Sequence, residues 1–201
     1  MHIALCLCSE LNPIETKTRV LILMHVSEAQ KPTSTGNLAH LMLPNADVRL
    51  RGLPHLSTVL DDVVAPVRGV NEEPLVPLVL FPARDAIPLD QALQEDRDLR
   101  ERRINLIVPE GTWRQARKVI TREPKLANVP IVRLPDGIPT SKYGLRRNVR
   151  SRGHLCTLEA IAVALEYLGE PAATASLLQA LELMVDRVRR SRGLSGADDL
   201  A

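Results

Sequence analysis

The chain has 201 residues, of which 45% are hydrophobic and 25% charged, so we expect a single globular domain over residues 1–201 with a substantial buried core. A net charge of +2 excludes binding of nucleic acid through bulk charge, and any affinity for a polyanion must come from local clusters of cations. Three cysteines suit a reducing compartment and no apolar run approaches a membrane span, so we expect a cytoplasmic protein that binds no membrane.

The first half of the chain predicts one helix among three strands. Residues 19–26 are apolar almost throughout, which predicts a buried strand. After Gly36, residues 37–43 have helical spacing and end at a proline. Shorter apolar segments predict strands over residues 48–50 and 75–81, and a loop follows the second of them.

The centre of the chain predicts a charged helix and two more strands. Residues 88–103 carry leucines at helical steps among mixed acids and bases, which is typical of a helix with a solvated face. Apolar runs predict strands over residues 104–108, where Pro109 ends the run, and over residues 129–134.

The last part of the chain predicts two long helices. Residues 155–168 and 171–190 each carry an apolar stripe at helical spacing, and we expect residues 193–201 to be a frayed tail. Strands that alternate with helices indicate an α/β fold, with a mostly parallel sheet and helices on both faces. Ligands of such folds bind beyond the carboxyl ends of the strands.

Residues 108–118, VPEGTWRQARK, form the most informative segment. At the end of a predicted strand they bring together a carboxylate, a glycine, a threonine and the only tryptophan, and three cations follow. This combination suits a site for an electron-rich acceptor that is carried on a polyanion. A local explanation stays open, because Thr112-x-x-Gln115 is also a capping box that satisfies the N–H groups of a helix start.

Short blocks along the chain match the motifs of one family in order, and the sequence resembles the DTW-domain family. The matching blocks are Cys6-x-Cys8, Thr16-x-Thr18-Arg19, His25 to Glu28 followed by Lys31-x-Thr33-x-Thr35-Gly36, Leu80-Phe81-Pro82, Glu110-Gly111-Thr112-Trp113 and Cys156-Thr157-Leu158-Glu159-Ala160. The chain departs from the usual pattern at three of these positions. It has Glu110 where the family has aspartate, Ser34 where it has asparagine and Cys156 where it has serine.

The resemblance implies an activity and a fold. The activity is transfer of the 3-amino-3-carboxypropyl group from S-adenosylmethionine, a co-substrate, to a uridine base in tRNA. The fold is SPOUT-like and related to the knotted methyltransferases of that class, with a C-terminal trefoil knot. We expect a monomer rather than a dimer.

The implied reaction assigns a catalytic role to Glu110. The imide nitrogen of uracil is weakly acidic, and a carboxylate within hydrogen-bond reach can take its proton. We therefore interpret Glu110 as the general base. The alternative is that the longer side chain anchors a neighbouring backbone segment or the cationic donor.

The donor site is expected to combine residues from three motifs. Gly111 lets the backbone approach the donor closely, whereas Trp113 either forms a wall of the pocket or packs in the core. Cysteine caps helices poorly, which favours Thr157 as the cap of the helix that follows. The expected S-adenosylmethionine contacts are Leu80, Phe81, Pro82, Gly111, Thr112, Trp113, Cys156, Thr157 and Glu159.

Clusters of cations indicate where tRNA phosphates would bind. Residues 137–158 contain no acid and include five lysines or arginines, with Tyr143 as a stacking face. Residues 31–37 form a polar loop that resembles an anion cradle. A solvated surface is the alternative for every cation. The expected RNA contacts are Lys31, Arg114, Arg117, Lys118, Lys142, Arg146, Arg147, Arg150 and Arg152.

Cys6 and Cys8 correspond to half of the four-thiolate zinc knuckle that many family members carry. A structural zinc site needs four ligands, so we expect no bound metal. His2 and His25 are the first residues to examine if a metal is found.

Two other functions stay open. A SPOUT-type RNA methyltransferase would use the same donor in a different orientation. A catalytically inactive RNA-binding relative is the non-enzymatic alternative, which the change at Glu110 and the single cysteine pair make conceivable.

Overall fold

The computed structural model describes residues 6–53, 58–61, 63, 74–138, 141, 143 and 155–193. Strands and helices alternate along them. The strands are β1 (Arg19–His25), β2 (Ala46–Arg51), β3 (Val76–Leu80), β4 (Ile87–Pro88), β5 (Ile104–Glu110) and β6 (Ile131–Arg133). The α-helices are α1 (Val26–Ala29), α2 (Thr35–Met42), α3 (Leu89–Glu95), α4 (Trp113–Arg122), α5 (Thr157–Tyr167) and α6 (Pro171–Ser191).

The described strands form one sheet in the order β2-β1-β5-β3-β6-β4, and every pair is parallel. The central strands β1 and β5 pair from Arg19↔Asn105 to Met24↔Glu110. Because the strands are parallel, their carboxyl ends lie at one edge of the sheet. The predicted α/β fold with a parallel sheet is confirmed.

Helices cover both faces of the sheet, as predicted, and β1 shows how. Successive side chains of a strand point to opposite faces. Val20, Ile22 and Met24 belong to the core that contains α2, α5 and α6, whereas Leu21 and Leu23 pack with residues of α4. All five side chains are fully buried, and burial of each contributes about 1.5–3 kcal/mol. β1 therefore holds both helical layers to the sheet.

One strand boundary differs from the prediction and matters for the site. β5 does not end at Pro109 but continues to Glu110. The ladder between β3 and β5 ends at Val79↔Ile107, so beyond that point only β1 pairs with β5. A proline is tolerated there, because the N–H that it lacks has no ladder bond to β3 to make. Glu110 is consequently fixed by a strand rather than by a loop.

The prediction of one helix over residues 88–103 is wrong. Pro88 belongs to β4, α3 ends at Glu95, and a 3₁₀ turn spans Arg97–Arg100. The side chain of Asp96 accepts a hydrogen bond from Asp98 N at 3.2 Å. Short acidic side chains compete in this way with helical hydrogen bonds, which ends α3.

Some expectations stay predictions. Residues 194–201, most of the expected frayed tail, lie outside the described residues, as does most of the segment between β6 and α5, and the expected trefoil knot stays a prediction. The single-domain organisation is also an expectation. No helix among the described residues has the length and apolar character needed to cross a membrane.

Candidate active site

The carboxyl ends of β1, β5, β3 and β6 open into a cavity of about 780 Å³. The start of α5 and residues Ser141 and Tyr143 complete its lining. Both the size and the position beyond the strand ends are typical of small-molecule sites in parallel α/β folds.

One wall of the cavity, next to the end of β1, is charged. Glu28 and Lys31 form an ion pair there, and both line the cavity. The Glu28 side chain is 7% exposed and that of Lys31 is 45% exposed. Thr35, in the first turn of α2, lines the same cavity. This wall therefore presents a buried carboxylate beside a half-exposed ammonium group.

Glu110 lies at the end of β5, is 6% exposed and lines the cavity. Ser34 Oγ lies 3.4 Å from Glu110 Oε1 and donates to it. A Cβ atom on Gly36 would lie 1.8 Å from Glu110 Oε2, so the absence of a side chain at this position makes room for the carboxylate. Ser34 caps α2 and Gly36 is in its first turn, where the helix dipole favours a negative charge. The start of α2 therefore holds this carboxylate in place.

The segment after Glu110 is fixed by His25, at the end of β1. His25 Nδ1 accepts a hydrogen bond from Ser27 N at 3.2 Å and lies 3.1 Å from Gln115 Nε2. Gln115 Oε1 accepts from Thr112 N at 2.8 Å, which completes the predicted capping box of α4. A Cβ atom on Gly111 would lie 3.3 Å from His25 Cβ, so the glycine permits this close packing. The local explanation of the motif is confirmed, and the motif also lines the cavity.

The part of the cavity next to β3 and β6 is mainly apolar. The rings of Phe81 and Trp113 meet edge to face, with centroids 5.8 Å apart and an interplanar angle of 60°. Trp113 is 48% exposed, which contradicts the core-packing alternative. Leu80 and Pro82 line the cavity beside Phe81. An aromatic pair of this kind suits a flat, partly apolar group such as a purine or pyrimidine ring.

The start of α5 is buried against the cavity. Cys156 occupies the cap position and Thr157 is the first helical residue, so the expectation that Thr157 caps this helix is wrong. Glu159, 4% exposed, accepts hydrogen bonds from Cys156 N at 2.8 Å and from Ser141 Oγ at 2.5 Å. Burial, together with the Glu159 carboxylate, raises the pKa of the Cys156 thiol, which therefore lines the cavity as a neutral group.

The structure brings most of the expected donor contacts together. Eight of the nine residues line this cavity: Leu80, Phe81, Pro82, Gly111, Thr112, Trp113, Cys156 and Thr157. Glu159 is not among the lining residues, and its hydrogen bonds give it a positioning role at the start of α5. Contact of these residues with a donor stays a prediction.

The expected RNA contacts are divided between two places. Lys31 lines the cavity, whereas Arg114, Arg117 and Lys118 are exposed on α4 beside the half-exposed Trp113. Within the part of the chain that the structure describes, these three cations form no ion pair. The other expected contacts, Lys142, Arg146, Arg147, Arg150 and Arg152, lie outside the described residues.

Several lining residues were not predicted from the sequence. Arg133, with residues 134–138 after β6, lines the cavity, and the rule that ligands bind beyond strand ends could have identified this segment. Glu28 was part of a motif but had no assigned role. Tyr143 is 8% exposed and its hydroxyl donates to Thr33 O at 2.7 Å, so it is not the exposed stacking face that we expected.

The N-terminal thiols lie close together, with Cys6 Sγ and Cys8 Sγ 3.3 Å apart. The described residues contain no group of three or more His, Cys, Asp or Glu side chains that could hold a metal ion. His2 lies outside the described residues, and the expected absence of zinc stays a prediction.

Comparison with known proteins gives one family match. The family model of the DTW domain matches residues 1–189, which include every described strand and most of α6. No solved structure matches this chain.

Proposed function

The chain belongs to the DTW-domain family, a family of tRNA-modifying enzymes, and from this premise we propose that it transfers the 3-amino-3-carboxypropyl group of S-adenosylmethionine to a uridine base in tRNA. The observation that carries the proposal is the position of Glu110. It is a buried carboxylate on the wall of a cavity of about 780 Å³, directly before a helix with an exposed basic face.

The proposed reaction requires Glu110 to accept a proton. The lone pair of uracil N3 forms a bond to the carbon of the donor arm that is attached to sulfur. The bond between this carbon and the sulfonium breaks, its electron pair returns to sulfur, and 5′-methylthioadenosine leaves. The N3 proton passes to the Glu110 carboxylate and from there to solvent.

The arrangement of Glu110 supports this role. Because β5, Ser34 and Gly36 fix its carboxylate, little reorganisation is needed when the base arrives. Helix α4 begins at the same cavity, and its exposed cations would hold tRNA phosphates while the uracil enters. The cluster at residues 142–152 is the second expected phosphate contact. The SPOUT-like trefoil knot, the monomeric state and the cytoplasmic location belong to this proposal as well.

Mass spectrometry of nucleosides tests the proposal most directly. Purified protein is incubated with tRNA transcripts and S-adenosylmethionine, and the tRNA is then digested and analysed. We expect a uridine that is heavier by one aminocarboxypropyl group, together with 5′-methylthioadenosine. A uridine heavier by one methyl group would identify a methyltransferase instead. If the protein is folded and binds tRNA but the mass of every uridine is unchanged, the protein is an inactive RNA-binding relative.

A further inference from the structure

We propose that the Glu28–Lys31 pair binds the amino-acid end of S-adenosylmethionine, so that the adenine end lies toward β3 and β6. This inference rests on the proposed function and adds the orientation of the donor. The orientation matters because the same donor can transfer its methyl group or its aminocarboxypropyl group, depending on which carbon faces the acceptor.

The first support is chemical complementarity. The amino-acid end of the donor carries one carboxylate and one ammonium group, and the Glu28–Lys31 pair presents one of each. The donor carboxylate would pair with Lys31 and the donor ammonium with Glu28. Hydrogen bonds between charged groups are roughly twice as strong as those between neutral groups.

The second support is burial, which distinguishes this pair from a similar one. Arg133 and Asp136 also form an ion pair and line the cavity, but the Asp136 side chain is 89% exposed. The Glu28 side chain is only 7% exposed. Solvent and salt weaken exposed pairs far more than buried ones. The Glu28–Lys31 pair is therefore the stronger site for a charged ligand.

The third support is the order of the strands. Glu28 and Lys31 follow β1, whereas Phe81 follows β3 and Arg133 ends β6. Strands β1 and β6 are three places apart in the sheet, which corresponds to about 14 Å at a spacing of about 4.8 Å per strand. An extended donor can span this distance, with its adenine beside the apolar Phe81 and Trp113 rings.

This orientation also places the reacting arm near the proposed base. Glu110 ends β5, the strand next to β1, and its carboxylate contacts the start of α2. An amino-acid end held after β1 brings the aminocarboxypropyl arm toward Glu110. The opposite orientation would place the adenine there instead. Glu28 and Lys31 would thus determine which group of the donor is transferred.

Binding measurements on three related ligands test this inference. S-Adenosylmethionine, its decarboxylated form and 5′-methylthioadenosine share the adenosine and differ in the amino-acid end. Calorimetry would measure their dissociation constants for the wild type, for Lys31→Met and for the matched control Arg133→Met. We expect Lys31→Met to weaken S-adenosylmethionine binding about tenfold, the loss of one charged hydrogen bond. Binding of 5′-methylthioadenosine should be unchanged, and the preference for S-adenosylmethionine over its decarboxylated form should disappear.

Removal of Lys31 takes one charged partner from the buried Glu28 carboxylate, which can destabilise the fold. The double variant Glu28→Gln/Lys31→Met removes both charges. It should weaken binding of S-adenosylmethionine and of its decarboxylated form, which keeps the ammonium group, and leave binding of 5′-methylthioadenosine unchanged. The proposed orientation would be overturned if either variant lost the same affinity for all three ligands. It would also be overturned if only Arg133→Met lost affinity selectively for S-adenosylmethionine. A wild type that binds none of the ligands would instead overturn the proposed function.

Discussion

Helices α4 and α5 begin at the same cavity and use the same kind of cap, yet their first turns have opposite surroundings. At α4 the capping threonine, Thr112, is exposed, and the residues that follow it are Trp113 and exposed cations. At α5 the acid of the capping box, Glu159 at the third helical position, is 4% exposed and also accepts a hydrogen bond from Ser141, whereas its counterpart in α4, Gln115, is only partly buried.

This difference indicates that one sequence pattern serves two purposes. A polar side chain at the third helical position satisfies the N–H groups of the helix start in both cases. The buried capping box of α5 ties that helix to Ser141, 18 residues before Glu159 in the chain, and so contributes to the core. The exposed box of α4 leaves its helix facing outward, where a large partner can reach it. We therefore expect the start of α5 to contribute rigidity to the cavity, and the exposed start of α4 to be the part that the proposed tRNA substrate contacts.

The largest expected effect concerns Glu110, the residue that leads into α4. We expect Glu110→Gln to reduce the transfer rate by about a hundredfold to ten-thousandfold, because a positioned proton acceptor contributes that much. Stability and S-adenosylmethionine binding should change little, since the side chain keeps its size. Single-turnover kinetics and thermal unfolding measure the two properties.

Glu110→Asp is the control for this prediction. It retains the carboxylate and should stay active. Wild-type turnover in the glutamine variant would remove Glu110 from the mechanism and leave α4 with a role in binding alone.

The second prediction compares the two capping boxes directly. Glu159→Ala should destabilise the protein by about 3 kcal/mol, because the buried Ser141 hydroxyl and the partly buried Cys156 N–H lose a charged acceptor. Gln115→Ala should cost about 1 kcal/mol, since its box is more exposed. Urea unfolding of both variants gives the difference. If both variants lose the same free energy of unfolding, burial does not distinguish the two helix starts.

The third prediction concerns the outward face of α4. Replacing Arg114, Arg117 and Lys118 with glutamine should weaken tRNA binding by about tenfold and reduce the slope of log affinity against log salt by about 2–3, because fewer counterions are released. Affinity for S-adenosylmethionine should stay within twofold, or about 0.4 kcal/mol. Filter binding at several salt concentrations measures the slope.

Residues 142–152 supply a matched variant for this experiment. Replacement of Arg146, Arg147 and Arg150 removes the same charge from the second expected cluster, and we expect it to flatten the slope as well. A slope that neither triple variant changes would place the tRNA contacts elsewhere on the surface.

The smallest effect concerns cysteine reactivity. Thiolates react and thiols do not, and the pKa of Cys156 at the start of α5 is raised, first by burial and then by Glu159. The pKa of Cys6 is lowered, because the backbone and then the thiol of Cys8 hydrogen-bond to it. Near neutral pH, iodoacetamide should therefore modify Cys6 well before Cys156, as peptide mass spectrometry would show. Early modification of Cys156 would mean that the start of α5 opens easily.

Elements with a strong apolar pattern were predicted well from the sequence. The strands near residues 19–26 and 104–108 and the two long helices lie where expected, because apolar periodicity reflects burial directly. The errors arose where a single side chain determines where a helix ends or whether a strand continues. Asp96 ends α3, and Pro109 is tolerated in β5 only because β3 has ended beside it. The apolar pattern of the sequence shows neither the hydrogen bond of Asp96 nor the end of the ladder between β3 and β5.

The site was predicted in its parts but not in its contacts. The motif around Glu110 was recognised, and so was the capping box at Thr112. The contacts of Glu110 with Ser34, and of His25 with Gln115, join residues 76 and 90 positions apart. Such contacts depend on the strand order β2-β1-β5-β3-β6-β4, which local periodicity does not determine.

The close approach of Gly36 to Glu110 has a consequence for how this site can evolve. A methyl group at position 36 would occupy the place of Glu110 Oε2, since its carbon would lie 1.8 Å from that atom. Aspartate at position 110 is shorter by one methylene group and would withdraw its carboxylate from that place. Gly36→Ala should therefore be harmful beside glutamate and tolerated beside aspartate, which makes the two positions epistatic. A lineage that carries this glutamate can exchange its glycine only after position 110 has changed.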